Sequence, residues 1–348
     1  MSDYIERRRF EEIDISEPFF DSLKRTYKGF AGWYSSRPER EAFVLYNSEG
    51  KLSAFLHLKI EHDLVDDCNP KIAADRIVKI ATFKVDPHGT KLGERFIKKA
   101  LDYVIISNAS ICYATIFKEQ TQLIELFEKY GFIEWGIKET DGNTEKVFVK
   151  DINNVTGDIY KDYPVFSTSH KKKRLLSIYP DYHTRLFPDS ILHNESYDIL
   201  QDVSYTNSIH KIYICRMAIS SLKKGDIVVM YRTSDNKAPA EYRSVATSIC
   251  VVEEVKRKKD FNSFNDFFDY TKDYSIFDED ELKSWYRSQN VYVLKMTYNA
   301  ALTRKLTRKR IADECGLPRS RWSFVGLSDY QFNRIISCGG VHENLIVN

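Results

Sequence analysis

The sequence predicts an α/β (α+β) chain in two parts: a mixed central sheet with helices, then a small β-barrel domain with short helices. Three observations predict this. The first half alternates runs of strand period with runs of helical period. The second half is rich in strands, with only short helices between and after them. Between the halves, residues 150–175 (KDINNVTGDIYKDYPVFSTSHKKKR) carry turn formers and a basic run but no long apolar period. A length of 348 residues, 43% hydrophobic and 29% charged, suits two globular cores of this kind. We place the first domain at 1–155, a linker at 156–175 and the second domain at 176–348.

The first-half elements follow in order. Residues 41–48 (EAFVLYNS) and 52–62 (LSAFLHLKIEH) flank the turn SEGK as a hairpin. Residues 76–85 (RIVKIATFKV) form a strand of β-branched and aromatic residues. Within 92–107, Leu92, Phe96, Ile97, Ala100, Leu101, Val104 and Ile105 make one apolar helical face. A strand at 111–117 and a helix at 120–130, closed by Gly131, come next. FIEWGIK and KVFVKDI then read as a final strand pair.

In the second half, strands are expected at 211–219, 225–232, 244–254 and 291–298. Helices are expected near 279–287, 307–315 (closed by Gly316) and 329–337. The last opens on Ser328 and Gln331, spaced as a capping box, with Gly339 as its stop.

The composition also excludes classes of function. Net charge is +2, so any nucleic-acid contact must rest on local clusters. The six cysteines contain no CxxC pair, and Cys112, Cys215 and Cys250 lie in apolar strands. They read as reduced core residues of a cytoplasmic protein. The start, MSDYIERRRFEEIDIS, has no apolar signal core, and no run approaches the roughly 18 apolar residues of a membrane span. The eight histidines show no metal-ligand spacing, so no metal is expected.

Residues 85–96, VDPHGTKLGERF, join the end of a strand to the start of a helix through Pro and Gly. Such a layout suits an anion held at a helix N-terminus. With IELFEKYGFIEWG downstream, and the order hairpin, strand, turn, helix, strand, helix, GF, strand pair, residues 20–150 resemble the GNAT superfamily of N-acetyltransferases. The resemblance implies acetyl-CoA as donor. Phe83 and Val85 would lie along its pantetheine arm, and His88, Gly89, Thr90, Lys91, Leu92 and Gly93 around its pyrophosphate. Lys91 stands where the family's loop has its first glycine. Phe127 stands where the family has the tyrosine that protonates the departing thiolate. Tyr130, three residues on, is the substitute acid. His57, Glu61 and His62 are candidate bases, and His62 is carried forward with Tyr130 as catalytic.

LKKGDIVVMYRTSD, SVATSICVVEEV, VYVLKMTYN and CGLPRSRWSFVGLSDYQFNRII resemble PUA-like domains of the ASCH/EVE kind over 172–340. The segment LLSIYPDYHTRLFPDSIL resembles the linker that joins GNAT domains to such barrels. This likeness implies an RNA partner such as a tRNA or a ribonucleoprotein, or a modified base. Lys172, Arg174, Tyr231, Arg232 and Trp322 are the candidate contacts, charged groups for phosphate and rings for stacking. The stretch DFNSFNDFFDYTKDYSIFDEDE reads as a helical insertion packed on the barrel. The expected function is acetyl-CoA-dependent N-acetyl transfer to an amine, with a barrel that recruits RNA. The alternative is a nucleic-acid-binding module with a catalytically degenerate acetyltransferase half.

Overall fold

Parallel neighbouring strands need a crossover, and the strand–helix–strand run at 72–116 provides one. The computed structural model describes residues 5–86, 91–140, 143–187, 208–237 and 239–347. They divide between Asn153 and Asn154 into two compact units.

The first unit runs β1 (Glu6–Arg9), α1 (Asp21–Thr26), α2 (Phe30–Ser35), β2 (Glu41–Tyr46), β3 (Leu52–Val65) and β4 (Ile72–Val85). It continues with α3 (Leu92–Ile106), β5 (Ile111–Ile116), α4 (Thr121–Lys129), β6 (Ile133–Thr140) and β7 (Asn143–Asp151). The seven strands form one sheet in the order β1-β2-β3-β4-β5-β7-β6. β4 and β5 are parallel, and the other neighbours are antiparallel. The element order implied by the GNAT resemblance is therefore present.

On one face, Phe10, Phe19, Phe20, Phe30 and Tyr34 pack against Ala42, Val44, Leu52 and Phe55. Phe10 and Tyr34 stack with centroids 4.3 Å apart. Each such ring contributes about 1.5–3 kcal/mol by leaving water. They hold α1 and α2 on the sheet although these helices are only six residues long.

β3 and β4 are longer than their apolar runs suggest. Their polar ends continue into an arm that pairs with β6. Asn69 and Ile137 exchange backbone bonds of 2.8 and 3.0 Å. Gly136 makes room for this, since a Cβ there would lie 2.1 Å from the Asn69 carbonyl oxygen.

The second unit contains β8 (Phe166–Ser167), β9 (Lys173–Ile178), α5 (Pro180–Leu186), β10 (His210–Cys215), β11 (Ile227–Arg232), α6 (Ala240–Arg243) and β12 (Val245–Arg257). Then come α7 (Phe264–Thr271), α8 (Glu279–Arg287), β13 (Tyr292–Thr307), α9 (Arg308–Cys315), β14 (Phe324–Leu327), α10 (Asp329–Gly339) and β15 (Ile346–Val347). Six strands order as β10-β13-β12-β11-β9-β14, and β15 pairs β8 separately. β9 is an inner strand, parallel to β11 and antiparallel to β14. Its run KRLLSI is short and opens on two basic residues, which is why it reads as connecting chain in the sequence.

Local signals hold in this unit. Ser328 and Gln331 exchange the two bonds of a capping box. Gly316 ends α9 at φ 73°. α10 runs through Gly339 and stops at Gly340, with φ 65°. The acidic, aromatic stretch forms α7 and α8, which place Phe267, Ile276, Phe277 and Leu282 in the unit's core. The neighbouring basic run lies over aromatic rings: Lys256 is 4.2 Å from the Tyr270 centroid and Lys258 is 5.0 Å from that of Tyr286. All six cysteines are free, and burial pushes the Cys215 thiol up to about 12.

Candidate active site

β4 and β5 pair at four positions, from Ile77 with Ile111 to Ile80 with Ala114. There the two strands part. β4 continues to Val85 against β3 alone, so from Ala81 onward its other edge has no ladder partner among the described residues.

The parting coincides with a bulge. His57 pairs with Thr82 and Leu58 with Ile80, so Ala81 has no partner on β3. The bulge shifts which side chains share a face. Lys79 pairs with Lys59, Thr82 with His57 and Lys84 with Phe55. These three therefore lie on the face that α1 and α2 cover, while Phe83 lies on the other.

Each face is tied down at this gap. Phe83 meets Phe127 of α4 edge to face, with centroids 5.8 Å apart. On the opposite face, Lys84 donates to Ser22 Oγ at 2.7 Å and to the Phe19 carbonyl, anchoring α1. Burial holds the Lys84 ammonium below its ordinary pKa. Tyr27, between α1 and α2, donates to Glu145 at 3.0 Å and packs against Phe117. Burial and that carboxylate push the Tyr27 phenol well above its usual range. The α1–α2 segment thus spans from β4 to the start of β7.

At the end of β4 the chain reaches α3, whose helix begins after Lys91. Lys91 is exposed and left-handed, with φ 56° and ψ 26°. A side chain in that region costs roughly 1 kcal/mol, the physical reason a glycine suits this place. Leu92 is buried beneath the first turn. Gly93 lies against α4, where a Cβ would meet Leu126 Cδ2 at 2.8 Å. Phe83 and Val85 are half-buried at the gap, and Phe127 is fully buried beside it. His88, Gly89 and Thr90 lie outside the described residues.

Both catalytic candidates need correction. Tyr130 is fully buried at the end of α4, where it packs as a core residue and its carbonyl accepts from Lys150 at 2.8 Å. A phenol sealed in this way is not set to meet a leaving thiolate. His62 is exposed, with Nδ1 3.3 Å from the Asp75 carbonyl. It lies six residues along β3 from Leu56, the partner of Phe83, which is roughly 20 Å in an extended strand.

The other two candidate bases are also engaged. His57 is buried, with Nδ1 2.8 Å from the Glu41 carbonyl, and burial lowers its pKa. Glu61 accepts from Lys59 at 2.8 Å and from Tyr113 at 2.6 Å. Burial opposes its ionisation, but these bonds and nearby lysines outweigh it and hold the carboxyl below the usual range.

The barrel candidates divide. Tyr231, Arg232 and Trp322 are buried, with 2%, 5% and 4% of their surface exposed. The strand of Tyr231 and Arg232, β11, is flanked on both sides, by β12 and β9, so a terminal position in sequence is an interior position in space. Trp322 donates to the Pro318 carbonyl at 2.7 Å and meets Tyr231 edge to face. These three are packing residues, a correction to their expected role on nucleic acid. Lys172 is exposed and Arg174 half-exposed: Lys172 donates to the Ser221 carbonyl and Arg174 lies over the Phe324 ring.

No protein-family model and no curated protein matches the chain. Among solved structures, it is similar to a putative phosphinothricin N-acetyltransferase, at 20% identity over 42% of this chain and 98% of that one, with a TM-score of 0.32. It is similar to ASCH from Zymomonas mobilis, at 9% identity over 48% and 94%, with a TM-score of 0.33. Arabidopsis thaliana NAA60, in complex with a bisubstrate analogue, is 15% identical over 42% and 97%, with a TM-score of 0.32. GNAT-type and ASCH-type structures are thus both among the neighbours.

Proposed function

We propose that the first unit binds acetyl-CoA and transfers its acetyl group to an amine. The observation that carries this reading is the parting of β4 from β5 at Ala81, which leaves the β4 edge from Ala81 to Val85 without a ladder partner among the described residues. An extended arm with two amide groups, such as pantetheine, can complete that ladder as an added strand. Its pyrophosphate then falls at the helix N-terminus, where amide donors and the dipole favour negative charge. Gly93 lets α3 and α4 approach closely beside this edge.

The acceptor amine attacks the thioester carbonyl, a C–N bond forms, and the C–S bond breaks with the electron pair leaving on sulfur. Positioning of the two reactants lowers most of this barrier. Phe127 supplies no proton. The barrel as a recruiter of RNA rests on Lys172 and Arg174, since the stacking residues first assigned to it are packed.

Calorimetry with acetyl-CoA tests the reading. Binding is expected, and no heat at concentrations on the order of hundreds of micromolar would overturn it. Thiol release with spermidine, lysinamide and a peptide with a free N-terminus then sorts the acceptor class. A gel shift with tRNA at low salt, lost on adding salt, would support the recruiting barrel.

A further inference from the structure

With Tyr130 sealed and His62 remote, the face of the gap under α1 and α2 carries His57, Lys59, Glu61, Lys79 and Lys84, and all of these but Lys79 are engaged in hydrogen bonds or ion pairs among the described residues. Lys79 lies two residues before the bulge, about 7 Å along the strand from Ala81. It pairs in register with Tyr113 on β5 and with Lys59 on β3. Those registers put its side chain on the same face as Thr82 and Lys84, the side an acceptor must enter if the donor fills the gap. Its Nζ lies 5.2 Å from the Tyr113 ring centroid. Lys79 makes no hydrogen bond or ion pair among the described residues, whereas the charges around it are paired. Glu61 is bonded to Lys59 and Tyr113, and Asp67 to Lys138.

We propose that Lys79 is the base that takes a proton from the acceptor ammonium, an inference that rests on the acetyltransferase reading. Neutral Lys79 accepts one proton from the acceptor nitrogen. The amine attacks, the tetrahedral adduct collapses, and the C–S bond breaks. The thiolate takes the proton back from the Lys79 ammonium, and the second proton lost by nitrogen goes to water. The acceptor ammonium becomes the acetyl amide and the thioester sulfur leaves as the thiol, with one proton released to water, so protons and electron pairs balance.

The groups facing Lys79 are consistent with that work. Burial, first, and the positive charge of Lys138, second, hold its pKa below the ordinary lysine value, with Lys59 adding to them. Glu61 and Asp67 act in the other direction. The Tyr113 phenol, pushed far up by burial and by Glu61, stays neutral. A lysine held below its ordinary pKa gives up its proton more readily, which is the direction a general base needs.

The test needs no known acceptor. Lysines are reductively methylated with 13C-formaldehyde in the full-length protein, and Lys79→Arg assigns the Lys79 resonance. It is expected to titrate below the other lysines and to shift when CoA is added. Calorimetry on the same sample separates two failures. If CoA does not bind, the acetyltransferase reading falls and this one with it. If CoA binds and the resonance neither titrates low nor moves, only the role of Lys79 is overturned.

For any amine of the panel that is turned over, Lys79→Arg keeps the charge but not the base. It should lower kcat by about 100-fold or more, with KM for acetyl-CoA unchanged. An Arg variant within threefold of wild type across the pH range would overturn the proposal.

Discussion

The main sheet of each unit contains one parallel strand pair, and the two pairs end differently. In the second unit, β9 and β11 stay in register from Lys173 with Ile227 to Ile178 with Arg232, six pairs without a break. In the first, β4 and β5 manage four pairs and then separate at a bulge. The unbroken pair buries whatever lies at its end, including Tyr231 and Arg232. The broken pair leaves backbone groups to be completed by something else, and a strand's worth of unmade bonds is a recognition surface. A residue at a strand end therefore means little until the neighbouring strand is known to stop or continue there.

Substitutions at the closed pair should cost stability, and those at the open pair should cost ligand binding. The largest effect is expected at Tyr231→Ala, which leaves a ring-sized cavity against Trp322 and should lower unfolding free energy by about 3–5 kcal/mol in urea titration. Tyr231→Phe should be neutral or slightly stabilising, because its buried hydroxyl has no hydrogen-bond partner among the described residues. A large loss in the Phe variant would reveal a polar role for that end of β11.

A second effect at the closed pair is a pH dependence. Burial, with Arg232 and Lys305 nearby, lowers His183 to about 3, and its Nε2 lies 2.7 Å from Thr247 Oγ1. The unfolded chain takes up a proton near 6.5 that the folded chain refuses. Stability is therefore full above about pH 6.5 and falls as pH drops toward 3. From pH 7.5 to 5 this amounts to about 2 kcal/mol. His183→Gln should remove that part of the slope, and equal slopes in both proteins would show that His183 is not its source.

At the open pair, Gly93→Ala forces Leu126 aside and should weaken acetyl-CoA binding about tenfold, near 1.4 kcal/mol, by displacing the start of α3. Adding Leu126→Ala should restore part of it. Unchanged affinity in the single variant would mean that α3 does not hold the donor. The smallest change is Tyr27→Phe, which removes one donor from the buried Glu145 and should cost about 1 kcal/mol of stability. Its mark should be a raised KM for the acceptor rather than for acetyl-CoA.

Much of this architecture was legible in the sequence where one element declares itself alone. α3 and α4 follow from apolar spacing, the β2–β3 hairpin from its turn, and α10 from Ser328 and Gln331. Short strands such as β1, β9 and β14 were not legible, because they exist through their neighbours and not through their own periodicity. The site follows the same division. Lys91 and Gly93 stand out on the chain because they interrupt a loop-to-helix pattern. Lys79 sits inside RIVKIATFKV as one of three basic residues in a strand-like run. Nothing there shows that the strand bulges two residues later, or that Tyr113 and Glu61 arrive beside it. The same limit misplaced Tyr231, Arg232 and Trp322, whose burial is set by β9, some fifty residues upstream of β11.

The arm that links Asn69 to Ile137 has a consequence for self-association. β6 is the outermost strand of its sheet and carries Ile133, Trp135 and Ile137 at 55%, 41% and 41% exposure. An apolar outer strand with unmade backbone bonds is a template for pairing with another molecule. The arm occupies that edge at Ile137, and Trp135 donates its indole N–H to the Pro70 carbonyl at 3.1 Å. Gly136 is thus a safeguard of solubility: with any side chain there the arm must lift, and copies of the protein gain an edge on which to stack.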